Sequence, residues 1–269
     1  MAKQTLAIIG MGKMGEAIAQ GLMSSPLGSG YRIVGTTRTE ESAREVRDHL
    51  KIDCFIDNEE ALRAAGVIIL AVKPHQVEKI LRENQKQFRS DQLIISICAA
   101  ITTEQLSDWS GGKAAIVRAM PNTPCLIKNG VTAICAGPRC TPPHLATAEK
   151  IFKELGLVTI LEESLFDGVT GLSGCGPAYI YLMIESLSEA GVKVGISRKQ
   201  ATILAAQTMM GAAKMVLDRE EHPAALKDEV TTPAGCTIDG LMALEEGKLR
   251  VTLIKAVLAA TRRSKLMRK

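Results

Sequence analysis

The sequence predicts an α/β protein in which a doubly wound, mostly parallel sheet is followed by an all-α domain. Through the first half of the chain, short apolar or β-branched runs alternate with helical patterns. Two of these runs, VIILAV at 67–72 and LIISI at 93–97, are apolar or nearly so throughout, which is typical of strands covered on both faces. Beyond about residue 163 the strand-like runs stop. We therefore expect residues 1–162 to form a sheet domain and residues 163–269 a helical domain.

Individual elements follow from the same patterns and from capping residues. Strands are expected over 5–9, 32–36, 67–72, 93–97, 114–120, 131–135 and 158–161. Helices between them are expected over 14–24, 40–50, 75–87 and 103–109. In the helical domain, the sequence predicts a helix that Ser173 caps and Gly191 stops. Further helices are expected over 197–218, 223–230, 233–246 and 248–267.

Composition and charge exclude several classes of protein. The 269 residues are 46% hydrophobic and 23% charged, which is typical of a globular chain and not of a disordered one. The net charge is only +4, and the chain has one Trp, three Tyr and four Phe. Charge and aromatic side chains are both too few for a dedicated nucleic-acid binder.

The cysteines, histidines and apolar segments predict a soluble, cytoplasmic protein. The seven cysteines form no C-x-x-C pair and the four histidines show no metal-ligand spacing, so we expect reduced thiols and no metal site. The N-terminus runs directly into a strand-like segment, which predicts no signal peptide. Residues 201–216 are mostly apolar, but Gln207, Thr208 and Lys214 interrupt them. We expect a buried or interface helix there, and no membrane partner.

A glycine-rich turn after the first strand indicates dinucleotide binding. The run Gly10-Met11-Gly12-Lys13-Met14-Gly15 is G-x-G-x-x-G between a strand and a helix, which is the context that this motif requires. Gly10 permits the tight turn, Gly12 lets a pyrophosphate approach the backbone, and Gly15 allows the helix to pack closely. The start of the helix adds free N–H groups for the phosphates. A purely structural glycine turn is the alternative, but the position favours a Rossmann-like dinucleotide domain.

The end of the second strand favours NADPH over NADH. Sites that prefer NAD place an Asp or Glu there to hold the ribose 2′-hydroxyl. Here the strand ends in Gly35-Thr36-Thr37-Arg38, which contains no acid. The first acidic residue after it is Glu40. An arginine and hydroxyls bind a 2′-phosphate that a carboxylate would repel. A solvated loop arginine is the alternative interpretation.

Two further strand ends carry small residues that leave room for a nicotinamide ring. The runs are Ala71-Val72-Lys73-Pro74 and Cys98-Ala99-Ala100. Because parallel sheets bind ligands at the carboxyl ends of their strands, we expect both runs to line the cofactor site. Lys73 is not expected to be a proton donor.

Five stretches of the chain match one known family. They are IIGMGKMGEAI, LAVKP, RAMPNTP, TGLSGCGPAY and HPAALKDEVTTPAGCTIDGL. With these stretches the chain resembles the pyrroline-5-carboxylate reductase family over essentially its full length. The resemblance implies reduction of the C=N bond of 1-pyrroline-5-carboxylate by NAD(P)H to give L-proline, the last step of proline biosynthesis. It also implies a homodimer or a larger homo-oligomer, such as a ring of dimers, built through the helical domain.

The chemistry that the resemblance implies needs few special residues. A protonated cyclic imine is already electrophilic, so hydride transfer needs alignment, a carboxylate anchor and a partner for the nitrogen. Turn amides and the helix start within 230–237 can anchor a carboxylate. The resemblance implies that the Thr237 hydroxyl bonds the ring nitrogen and that Glu163 is a substrate-pocket acid. Alternatively, Thr237 is only a residue of a helix first turn, and Glu163 is only a surface acid.

Motif and resemblance together define the expected site. Thr237 is the expected catalytic residue, and substrate binding is expected of Glu163, Thr232, Gly235, Cys236 and Thr237. Asn58 is expected near the adenosine end of the cofactor, although it can also be read as a helix cap. Cofactor binding is expected of Ile9, Gly10, Met11, Gly12, Lys13, Met14, Gly15, Thr37, Arg38, Asn58, Ala71, Val72, Lys73, Pro74, Cys98, Ala99 and Ala100.

The chain departs from the family pattern at four positions. Cys175 stands where serine is more usual, and Ala234 stands where glycine is common. Cys236 stands where threonine or alanine is common. Glu229 replaces a residue that is often neutral near the nicotinamide ribose. These departures concern substrate scope and kinetics and leave the fold prediction unchanged.

Other functions compete with this interpretation. A 3-hydroxyacid reductase usually carries a lysine in the first long helix of its second domain, whereas residues 178–190 contain none. Another imine reductase remains possible on the same plan. A catalytically silent dinucleotide-binding paralogue is disfavoured because both the Gly15 turn and the 232–237 loop are present. A redox thiol protein is disfavoured because no cysteine pair is set up for exchange.

Overall fold

The computed structural model describes residues 3–267, and the chain separates into two compact units. One unit contains the residues up to Gly174 and those from Ala260 onward, and the other is Cys175–Ala259. Every strand of the described chain belongs to the first unit, and the second is helical. The domain boundary expected between residues 162 and 163 stays a prediction.

The first unit is built on one eight-stranded sheet. Its strands are β1 Gln4–Ile9, β2 Tyr31–Thr36, β3 Asp53–Phe55, β4 Val67–Leu70, β5 Leu93–Ser96, β6 Ala115–Met120, β7 Gly130–Ala136 and β8 Gly156–Ile160. They lie in the order β3-β2-β1-β4-β5-β6-β7-β8. All neighbours are parallel except β6 and β7. The mostly parallel sheet is therefore confirmed. The sequence analysis missed β3, because its three residues are too few to show a period.

Helices cover both faces of this sheet. The helices of the first unit are α1 Lys13–Met23, α2 Glu40–Leu50, α3 Asn58–Ala64, α4 Pro74–Glu83, α5 Thr103–Trp109, α6 Pro142–Lys153 and α7 Phe166–Val169. Residues of α1, α2 and α6 pack with Ile69 and Ile95 on one face. Residues of α3, α4 and α5 pack with Ile68 and Ile94 on the other. The apolar runs in β4 and β5 thus follow from burial on both faces, and the doubly wound architecture is confirmed.

The order of the strands creates a crevice beside β1. From β1 the chain continues to β2 on one side, and it later returns to β4 on the other side. The connections after β1 and β4 therefore diverge to opposite faces, which opens a space at the carboxyl ends of these strands. This is the place where doubly wound sheets bind ligands.

The second unit is formed by helices of different lengths. They are α8 Gly176–Lys193, α9 Arg198–Arg219, α10 Pro223–Glu229 and α11 Cys236–Glu246, followed by α12 Leu249–Met267, which ends in the first unit. Within residues 3–267, no helix combines the length and apolar character needed to cross a bilayer. The expected helix over 197–218 is close to α9.

The expected ends of the first long helix are wrong. Ser173 lies in a π-helical turn, Thr170–Gly174, and its hydroxyl donates to the Val169 carbonyl, so it caps nothing. Helix α8 also continues through Gly191 to Lys193. A Cβ on Gly191 would lie 2.7 Å from the Ala201 Cβ. The glycine therefore lets α9 approach α8 and does not end the helix.

Candidate functional site

An open cavity of about 940 Å³ lies at the carboxyl ends of the strands around β1. Its volume is in the range of cofactor sites. Fourteen of the expected cofactor-binding residues line it: Gly10, Met11, Gly12, Lys13, Met14, Thr37, Arg38, Asn58, Ala71, Val72, Lys73, Pro74, Cys98 and Ala99. The structure thus brings together residues from five separate connections of the sheet.

Three expected cofactor residues are not in the wall of the cavity. Ile9 is fully buried within β1, and Gly15 is buried under the glycine turn. Ala100 is buried next to the wall and has a left-handed φ of 61°. The wall also contains residues that the sequence analysis did not assign to the cofactor, which are Thr36, Ser42, Ile56, Gln76, Ile80, Ile97, Pro121, Thr123 and Leu126. No local sequence motif marks these residues, so only the folded structure identifies them as part of the wall.

The glycine turn crosses the end of β2. The N–H groups of Gly10 and Met11 donate to the Thr36 carbonyl at 3.2 and 2.8 Å. Gly10 has φ +100°, and a Cβ there would lie 2.7 Å from the Val72 side chain. A Cβ on Gly15 would lie 2.3 Å from the Gly10 carbonyl oxygen. Glycine is therefore required at both ends of this turn.

The middle glycine has a different environment. A Cβ on Gly12 would meet no heavy atom within 4 Å. Gly12 precedes the first residue of α1 and offers no capping side chain. The first N–H groups of α1 therefore remain available to an anion that approaches the Gly12 backbone.

The end of β2 carries a cation that no acid of the described chain neutralises. Arg38 lines the cavity and forms no ion pair within residues 3–267, because the nearby Glu40 pairs with Arg47. Thr37 beside it donates its hydroxyl to the Thr39 carbonyl, 3.1 Å away. Asn58 lies opposite as the first residue of α3, and the cap of that helix is Asp57, which accepts from the Glu59 N–H. The helix-cap interpretation of Asn58 is therefore wrong, and its position on the cavity wall stands.

The ends of β4 and β5 are joined by a cysteine. The Cys98 thiol donates to the carbonyls of Val72 and Leu70 at 3.2 and 3.5 Å. Burial raises the pKa of this thiol to about 11, and contacts with Ser96 and Val72 lower it only in part. Cys98 is therefore a protonated structural donor at neutral pH and not a nucleophile.

Glu163 is held in a network of hydrogen bonds. Its Oε1 accepts from the Thr103 N–H at 2.8 Å and from the Arg118 Nη1 at 3.0 Å. Its Oε2 accepts from the Thr103 hydroxyl at 2.6 Å. The Glu163 side chain is 26% exposed, whereas that of Arg118 is 1% exposed. Two acceptor positions on Oε1 are filled, while Oε2 keeps one.

This carboxylate also influences a neighbouring thiol. Cys135 lies opposite Arg118 in the register of β6 and β7. Burial, followed by the charge of Glu163, raises the pKa of Cys135 to about 12, and Arg118 opposes the effect.

The expected substrate residues of the second unit lie in the turn between α10 and α11 and at the start of α11. The Gly235 N–H donates to the Thr232 carbonyl at 3.0 Å, and a Cβ on Gly235 would lie 2.4 Å from the Thr232 hydroxyl oxygen. Gly235 precedes α11 without a capping side chain, so the N–H groups of the first turn are open. Cys236 and Thr237 are the first two residues of α11. The Thr237 hydroxyl has no hydrogen-bond partner among residues 3–267.

Two of the departures from the family pattern have a structural explanation. Ala234 has a left-handed φ of 56°, a conformation that glycine adopts more easily than alanine. Glu229 accepts two bonds from Arg219, at 2.7 and 2.6 Å, and this guanidinium lowers the pKa of the Glu229 carboxyl. Its negative charge is therefore balanced locally.

The sheet and the cavity define a class of protein. The order β3-β2-β1-β4-β5-β6, with G-x-G-x-x-G after β1 and a cavity beside it, defines a dinucleotide-dependent oxidoreductase. Comparisons with known proteins are more specific. Residues 163–267 match the family model "Pyrroline-5-carboxylate reductase dimerisation", and residues 5–100 match "NADP oxidoreductase coenzyme F420-dependent".

Curated relatives and solved structures match the whole chain. The pyrroline-5-carboxylate reductase of Arabidopsis thaliana is 38% identical over 260 residues, which cover 97% of this chain and 94% of the relative. That of Escherichia coli is 36% identical and covers 99% of both chains. A pyrroline-5-carboxylate reductase structure from Coxiella burnetii has a TM-score of 0.92 at 34% identity, and one from Plasmodium falciparum with NADP bound has 0.88 at 32%; both cover 100% of each chain. The chain belongs to the pyrroline-5-carboxylate reductase family.

Proposed function

We propose that this protein reduces the C=N bond of 1-pyrroline-5-carboxylate with NADPH to give L-proline. The observation that carries the proposal is the similarity to pyrroline-5-carboxylate reductases over the full length of both chains. The cavity of the first unit and the turn before α11 contain the residue types that this reaction needs. The dinucleotide, when bound, supplies the hydride.

The residues of the cavity fit a dinucleotide. Gly12 leaves space for a pyrophosphate beside the open N–H groups of α1. The small residues Ala71, Ala99 and Cys98 leave room for the nicotinamide at the ends of β4 and β5. Asn58 is positioned for the adenosine end of the cofactor.

Arg38 and Thr37 support the choice of NADPH. Arg38 has no acidic partner within residues 3–267, so its guanidinium is available to a 2′-phosphate. A carboxylate, which would hold the 2′-hydroxyl of NADH, is missing at the end of β2. NADH use remains compatible with the same glycine turn.

The turn before α11 is the proposed substrate anchor. Its open N–H groups, with Thr232, Gly235 and Cys236, suit the carboxylate of the substrate. The Thr237 hydroxyl is unbonded within the described chain and can accept a hydrogen bond from, or donate one to, the ring nitrogen. Glu163 retains one acceptor position on Oε2, which supports its role as a substrate-pocket acid.

Assembly and location complete the proposal. The match to a dimerisation model over residues 163–267 supports a homodimer, and a larger homo-oligomer such as a ring of such dimers is part of the proposal. Exposed apolar side chains on α9, including Ile203, Leu204 and Met210, support an interface there. The seven cysteines are all free thiols, which supports a reducing compartment such as the cytoplasm.

The direct test compares two substrates at equal NADPH. We expect the loss of NADPH absorbance with 1-pyrroline-5-carboxylate and none with a 2-keto acid. Turnover with the keto acid alone would remove the proposed function, and turnover with neither would favour a silent dinucleotide-binding paralogue.

A further inference from the structure

Arg118 is an unusual residue for its place in the fold. It lies on β6 between the buried residues Val117 and Ala119, and its own side chain is 1% exposed. Its guanidinium stacks over the Phe166 ring, with 4.8 Å between the guanidinium carbon and the ring centroid. Its Nη2 is buried and has no hydrogen-bond partner among residues 3–267. A buried cation with an unused donor is a poor stabiliser compared with an apolar side chain of similar size. Stability alone therefore does not explain the arginine.

We infer that Arg118 is a positioning residue that orients Glu163 and, through Glu163, holds the wall of the cofactor cavity. The inference rests on the proposed function, because it assigns this cavity to NADPH. Arg118 is not among the residues that line the cavity, so its effect on the cavity must pass through its partner.

The first step is the orientation of the Glu163 carboxylate. Arg118 Nη1 and the Thr103 N–H both bind Oε1, while the Thr103 hydroxyl binds Oε2. Three donors on two oxygens leave the carboxylate one orientation. The guanidinium, itself held against Phe166, fixes the position of Oε1 through the single bond from Nη1.

The second step is the transfer from Glu163 to the cavity wall. Thr103 begins α5 and follows the wall residues Cys98 and Ala99 by only a few positions. Between them Ala100 is left-handed, with φ 61°, a conformation that costs an alanine free energy and persists only where the surroundings hold it. The two bonds from Thr103 to Glu163 hold the chain immediately after this turn. Gly137 lies close against the other side of Thr103, because a Cβ on Gly137 would lie only 2.5 Å from the Thr103 Cβ. Thr103 is therefore held on that side as well.

Variants of this network separate positioning from mere stability. Thr103→Val keeps the shape and the N–H bond but removes the hydroxyl bond to Glu163, and Thr103→Ser keeps that bond. The double variant Arg118→Met with Glu163→Met removes both charges together, so that neither charge is left buried without its partner. Thr132→Val is the matched control, because Thr132 is also buried in β7 and, within residues 3–267, its side chain has a hydrogen bond with Cys125 alone.

Two readouts are measured on the full-length protein, namely the dissociation constant for NADPH and the amide hydrogen exchange of residues 98–103. In Thr103→Val and in the double variant we expect the dissociation constant to rise roughly fivefold to tenfold and exchange at 98–103 to accelerate. Thr103→Ser and Thr132→Val should match the wild type.

Wild-type exchange and NADPH affinity in both Thr103→Val and the double variant would overturn the inference. A loss of affinity in Thr132→Val as large as in Thr103→Val would also overturn it, because any buried hydroxyl would then have the same effect. Failure of the wild type to bind NADPH or to turn over the imine would count against the proposed function instead, since the exchange measurement involves no cofactor.

Discussion

Replacing Gly15 by alanine should lower stability, whereas replacing Gly12 should weaken cofactor binding, although both glycines belong to one turn. In Gly15→Ala the new methyl lies 2.3 Å from the Gly10 carbonyl oxygen and 3.3 Å from Ile8 Cγ2. The first contact is with backbone, so no side chain can rotate away. The turn must move by about 1 Å to reach an ordinary contact distance. Overpacking of this kind costs about 1–3 kcal/mol, which lowers the melting temperature of a chain of this size by roughly 3–10 °C.

Gly12→Ala should leave stability unchanged and weaken cofactor binding. Its Cβ meets no heavy atom within 4 Å, and its φ of −98° with ψ of −171° is extended backbone that alanine adopts without strain. Gly12 lines the cavity, so the methyl takes space that a pyrophosphate needs. Loss of one charge-assisted hydrogen bond, about 1.5–3 kcal/mol, raises the dissociation constant for NADPH roughly tenfold to a hundredfold.

Thermal unfolding and a fluorescence titration with NADPH measure both effects on the same samples. Gly30→Ala is the matched control, since a Cβ at Gly30 meets no heavy atom within 4 Å and Gly30 lies outside the cavity. It should change neither quantity appreciably. Two results for Gly12→Ala would contradict these expectations. One is a melting temperature as low as that of Gly15→Ala, and the other is an NADPH affinity as high as that of Gly30→Ala.

Four further changes have defined outcomes. Arg38→Asp should raise the KM for NADPH much more than the KM for NADH, because the lost pairing of Arg38 with the 2′-phosphate is worth about 1.5–3 kcal/mol. Equal changes in the two KM values would show that Arg38 is not a 2′-phosphate ligand. Thr237→Ala and Thr237→Val should each lower kcat/KM by about tenfold to a hundredfold with NADPH affinity unchanged, whereas Thr237→Ser should keep most activity; wild-type kinetics in the valine variant would remove the hydroxyl from the mechanism. Ala234→Gly relieves a left-handed alanine at φ 56° and should stabilise the protein by about 0.5–1 kcal/mol in thermal unfolding; a lower melting temperature would contradict this. Burial raises the pKa of Cys98 to about 11, so roughly a thousandth of this thiol is thiolate at pH 8. The exposed Cys236 should therefore be alkylated before Cys98, and the alkylation of Cys98 should become faster only as the pH rises. Early labelling of Cys98 in peptide mass spectrometry would contradict its role as a protonated structural donor.

The features that the sequence predicts well are those that depend on neighbouring residues. Continuous apolar runs predict β4 and β5, because strands covered on both faces need apolar side chains at every position. The glycine turn is equally local, since strand, turn and helix follow one another within 20 residues. Most expected cofactor residues accordingly line one cavity.

The features that sequence analysis missed depend on contacts between distant residues. Gly191 looks like a helix stop, yet its role depends on Ala201 of the next helix. Arg118 lies within a matched stretch of sequence, but its partner is 45 positions away, and Glu163 meets Thr103 across 60 positions. A buried arginine on a strand is the signal that could have identified this network, because such a charge requires a partner.

We propose that hydride passes from NADPH bound in this cavity to the imine carbon of 1-pyrroline-5-carboxylate. The most direct test uses NADPH that carries deuterium at the transferred position of the nicotinamide. Mass spectrometry of the product should show L-proline with one deuterium on the ring carbon that was doubly bonded to nitrogen. Gly12→Ala should slow the formation of this product at limiting NADPH. Proline without the label, or NADPH oxidation without proline, would contradict the account.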